Sequence, residues 1–84
     1  MAHSFKNCYT KIMNEQEQIL FMQIRLLRMS AEKFDLSLKE AAELFEKFDV
    51  LKYIHKGFGI FHVEGDEAVF EDVKKYLKSK GAAV

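Results

Sequence analysis

No proline interrupts the chain of 84 residues, and only four glycines occur, three of them between Gly57 and Gly65. Proline and glycine are the residues that most strongly disfavour a helix interior. Long stretches ahead of Lys56 are therefore open to helix, and the apolar spacing agrees. Leu20, Ile24, Leu27, Ala31 and Phe34 recur in alternating steps of four and three, which on a helix is one face. Asn14 stands where a cap is needed, with Glu17 placed to complete a capping box. At about 100° per residue a second apolar set, Ile19, Met22, Leu26 and Met29, lies opposite the first, with Arg25 and Arg28 on one flank. A helix that is apolar on two sides is central in its domain or shared with another chain.

The next helix has a strong start signal. Ser37 followed by Glu40 forms a Ser-x-x-Glu capping box, and Leu38, Ala41, Ala42, Phe45 and Phe48 make an amphipathic stripe widened by Leu44. Asp49 can cap a third helix carrying Val50, Leu51, Ile54, Phe58 and Phe61 at helical spacing. Gly57 and Gly59 fall inside that stripe, and each costs about 1 kcal/mol relative to Ala. This predicts a helix ending near Lys56, with residues 58 to 63 extended or irregular, or forming a helical turn or packed loop in the absence of a second strand. Asp66 is expected to cap the last helix. Its acids, Glu67, Glu71 and Asp72, stand early and its lysines, Lys74, Lys75, Lys78 and Lys80, stand late, as the helix dipole prefers. Val69, Phe70, Val73, Tyr76 and Leu77 are its buried stripe, and Gly81 is its stop.

The fold class read from this pattern is all-α: a compact bundle of about four short helices, able to dimerise through the first. One domain spans residues 13–81, after a mobile segment 1–12 and before a frayed tail 82–84. An apolar fraction of 49% is that of a globular protein rather than a disordered one. Thirteen Lys and Arg balance thirteen Asp and Glu, which excludes nucleic-acid binding by bulk positive charge. Cys8 is the only cysteine, so no internal disulfide forms and a reducing cytoplasm is the expected compartment. The run Ile19 to Met29 is broken by Gln23, Arg25 and Arg28, well short of the roughly 20 apolar residues of a membrane span. The first twelve residues lack the apolar core of a signal peptide.

The run from Leu36 to Ile54, with its "Ser-x-Lys-Glu" helix and its Val50-Leu51-x-Tyr53 helix, resembles the middle of the bacterial domain of unknown function 3791 family. So does the step Phe61-His62-Val63-Glu64-Gly65 before a last helix rich in acids and lysines. His62, Gly65 and the Val-Leu-x-Tyr run carry most of this resemblance, which extends from the first helix to Gly81. Gly57 and Gly59 depart from the family pattern, which has bulkier or polar residues there. The resemblance implies a small bacterial cytoplasmic protein with an accessory or partner-binding role, and it transfers no activity.

Chemistry has little to work with in this sequence. His55 and His62 stand two turns apart on a helix, about 10 Å, too far for one ion, so neither a metal nor a cofactor is expected. No Ser-His-Asp or Cys-His grouping occurs, and no paired carboxylates sit in an apolar context, so the chain is not expected to be an enzyme. A helix-turn-helix reading places Lys52, His55 and Lys56 at DNA. Glu40, Glu43 and Glu46 on the preceding helix and the apolar start Val50-Leu51 argue against it. The favoured reading is a protein-interaction or self-assembly module, a homodimer or higher oligomer or the partner of a protein encoded nearby. Its contact surface would be Ile19, Met22, Arg25, Leu26 and Met29. The competing reading buries that face under the N-terminal segment through Phe5, Tyr9 and Ile12.

Overall fold

A computed structural model describes residues 14–84. Four helices follow one another: α1 (Glu15–Lys33), α2 (Leu38–Lys47), α3 (Val50–Phe61) and α4 (Asp66–Ser79), with no strand among the described residues. Both capping boxes form. The Glu17 N–H donates to Asn14 Oδ1 at 2.8 Å and the Asn14 N–H to Glu17 Oε1 at 3.1 Å. At α2 the Glu40 N–H donates to Ser37 Oγ at 3.0 Å and the Ser37 N–H to Glu40 Oε1 at 2.9 Å. Each box gives partners to N–H groups that the helix itself leaves unpaired.

The helix ends are tight turns. Asp35, at φ 56°, reverses the chain after α1, and the Leu36 N–H reaches back to the Ala31 carbonyl at 2.8 Å. Gly81, at φ 93°, does the same after α4, with Ala82 N–H on the Leu77 carbonyl at 3.0 Å. This is the Schellman arrangement, in which a left-handed residue just past the helix satisfies its last carbonyls. The tail, expected to fray, instead turns back onto the fold, where Ala82 and Val84 are partly buried against the core.

Two cap assignments are corrected. Asp49 directly precedes α3 but adopts φ 55° and makes no side-chain cap, because it also closes the turn that ends α2. The cap position of α4 is Gly65, at φ 97°, and Asp66 lies in the first turn, where it bonds across to α1. A third correction concerns the glycines of α3. The helix continues through Gly57 and Gly59 to Phe61, because it buries Phe58 and Phe61 along with Ile54. Burial of one large apolar side chain contributes about 1.5–3 kcal/mol, more than the roughly 1 kcal/mol that each helical glycine costs. Gly57 also makes room. A Cβ on it would overlap the ring of Phe61, one turn further on, which packs against Tyr53 with ring centroids 5.5 Å apart.

The core lies between α1 and the other three helices, each of which packs on it. Ile19, Met22 and Leu26 of α1 meet Phe45 of α2, Val50 and Ile54 of α3, and Val69, Val73 and Leu77 of α4. Tyr76 joins α4 to the end of α2 by donating its hydroxyl to the Phe48 carbonyl at 2.7 Å, and its ring stacks on Tyr53 at 4.1 Å.

Candidate functional site

The contact face read from the sequence is the inside of the molecule. Ile19, Met22 and Leu26 are buried in this chain's own core, Leu26 completely, and Met29 is packed against it. Their cover is supplied by α2, α3 and α4, while Phe5, Tyr9 and Ile12, with the expected mobile segment and Cys8, lie outside the described residues. Arg25, expected to anchor a partner, is engaged within the chain. Its Nε and Nη2 donate to the two oxygens of Asp66 at 3.1 and 3.3 Å, pinning the start of α4. Beside it, Lys33 pairs with Glu67 at 3.2 Å.

The other apolar set splits along the helix. Ala31 is buried and Phe34 half-buried, but Leu20 is 54% exposed and Ile24 38% exposed. The cause is length: α2, with ten residues, runs about 15 Å, roughly half the length of α1 with nineteen, so it covers only part of this face. The uncovered part continues into an open groove of about 490 Å³ lined by Leu27, Ala42, Phe45 and Leu51. Leu51 is 45% exposed, and its carbonyl accepts from the Gln23 side chain at 2.8 Å, which ties α3 to α1 beside the groove. Glu46, Asp49 and Lys52 form its polar rim. Leu20 also shares a second hollow with Gln16, Gln23 and His55.

Lys52, His55 and Lys56, the DNA-contacting set of the helix-turn-helix reading, are exposed on α3, with Asp49 lining the same hollow as Lys52 and Lys56. His62 serves the local fold: its Nδ1–H donates to the Phe58 carbonyl at 2.9 Å and its ring stacks on Phe58. Gly65 supplies the positive φ that α4 needs at its start, so the two most specific positions of the family-like loop are structural. Among the described residues no three His, Cys, Asp or Glu side chains are gathered as a metal site would require. At the same end of the molecule, desolvation and the Asp72 carboxyl, with which Glu64 shares a hydrogen bond, raise the Glu64 pKa above its ordinary value. Burial, with the nearby Asp72 and Glu64 charges, raises that of Tyr53.

Sequence reasoning found both apolar faces of α1 but not which one faces in. Arg25 flanks the inward set and meets Asp66 at the start of α4 in a half-exposed ion pair. No helix among the described residues is long and apolar enough to cross a membrane. No match was found among curated proteins or among solved structures. The family model described as "Protein of unknown function (DUF3791)" matches residues 21–80, from the second turn of α1 to the end of α4. The matched span takes in α2, α3, the His62–Gly65 turn and α4 complete, and the chain belongs to this family.

Proposed function

We propose that the chain is a small helical protein-interaction module whose contact surface is the outward face of α1, Leu20 and Ile24, continued by Leu27 and Leu51 into the adjoining groove. The observation that carries this reading is the exposure of Leu20 and Ile24 on a helix whose opposite face already fills the core. Single exposed apolar residues are ordinary on a protein surface, but a run at helical spacing beside an apolar groove fits the apolar side of another helix. Nucleic-acid contact through Lys52, His55 and Lys56 is the weaker alternative, since Glu46 and Asp49 border the same surface.

The test replaces the face without touching the core. Leu20→Asp with Ile24→Asp is expected to retain helical content and cooperative unfolding, and to abolish capture of any partner that the unaltered tagged chain retains after nuclease treatment. Capture that survives these substitutions, or material lost to nuclease alone, contradicts the proposal.

A further inference from the structure

The outward face of α1 has opposite charges at its two ends. Glu17 stands in the first turn and Arg28 in the second half of the helix, with Leu20 and Ile24 between them. The separation is 28 − 17 = 11 residues, about three turns, so both side chains project along nearly the same line. Glu17 uses Oε1 for the Asn14 cap, which leaves Oε2 for a second contact. Arg28 is exposed and has no ion-pair partner among the described residues.

An apolar strip with an acid at one end and a base at the other does not fit a parallel copy of itself, because like charges meet. It fits an antiparallel copy at both ends at once. In a two-fold pair such self-complementarity is what an isologous contact requires. We infer that the partner of this face is a second copy of the chain, in an antiparallel α1–α1 pair closed at each end by Glu17 of one copy and Arg28 of the other. With Glu17 set opposite Arg28, the same register lays the Leu20–Ile24 strips of the two copies over each other. This inference rests on the reading of that face as a contact surface.

The intact chain is tested by sedimentation equilibrium from about 10 μM to about 1 mM, where small interfaces act. The expected result is a mass rising towards twice that of the monomer. Arg28→Glu places acid opposite acid at both ends and is expected to weaken association about tenfold or more, with the cap of α1 intact. Glu17→Arg does the same with basic groups, its helical content checked because it removes half of the capping box. An equimolar mixture of the two variants is expected to associate more tightly than either alone, since every end then pairs opposite charges. A monomer mass across the range, or a mixture no tighter than its components, overturns the inference. If the chain is monomeric but Leu20→Asp with Ile24→Asp still abolishes capture of another protein, the contact-surface reading stands and only the second copy is excluded.

Discussion

Ser30 lies on the inner side of α1, fully buried, and its hydroxyl has no hydrogen-bond partner among the described residues. A buried hydroxyl left unpaired costs more than its removal, and Ala is the better helix former. Ser30→Ala is therefore expected to stabilise the fold by about 1 kcal/mol, read as a shift of the urea midpoint at unchanged slope. Glu64 makes a prediction of opposite origin. Its pKa in the fold is raised, so the folded chain holds that proton more tightly than the unfolded chain. The fold gains from this group as pH falls through the raised value, and loses that gain as pH rises back through it. Glu64→Gln should thus be the more stable form at neutral pH, with the difference vanishing below the ordinary carboxylate range of about 4. Thermal unfolding of both forms across pH checks the sign. At this scale the capping residues Asn14, Ser37 and Gly81 were legible in the sequence, because caps are local chemistry. The Arg25–Asp66 pair was not, since 41 residues separate its members and only the packed helices bring them together.

Within α3, two glycines two residues apart have opposite roles. Gly57 lies under the Phe61 ring, whereas a Cβ on Gly59 would meet nothing within 4 Å. Gly59→Ala is expected to stabilise by about 0.5–1 kcal/mol through helix propensity. Gly57→Ala gains the same propensity but must displace a buried aromatic ring. A net loss of about 1–3 kcal/mol is expected, in the range of overpacking. Paired denaturation curves compare the two, and a Gly57→Ala variant as stable as Gly59→Ala contradicts the packing account. Helix propensity, which weighs each glycine alone, ends this helix near Lys56. The stripe Ile54, Phe58 and Phe61 outweighs both, and only the packed structure shows that Gly57 is part of that stripe's fit.

For the whole molecule, the four-helix order followed from periodicity and caps, while the orientation of α1 did not. Both of its faces are apolar, and they differ in cover: α2, α3 and α4 close over Ile19, Met22 and Leu26, whereas the short α2 leaves Leu20 and Ile24 exposed. With Ile19, Met22 and Leu26 inside, α1 leaves Leu20 and Ile24 exposed, and these are the proposed contact surface. The measurement that tests this most directly is the melting temperature of the full chain as a function of its own concentration, beside that of Leu20→Asp with Ile24→Asp. Association of the folded form raises stability by mass action. The account predicts a melting temperature that climbs with concentration for the unaltered chain. For the doubly substituted chain it predicts a cooperative but concentration-independent transition. A flat response from the unaltered chain would contradict self-association, and a doubly substituted chain that no longer unfolds cooperatively would show that the outward face of α1 is core.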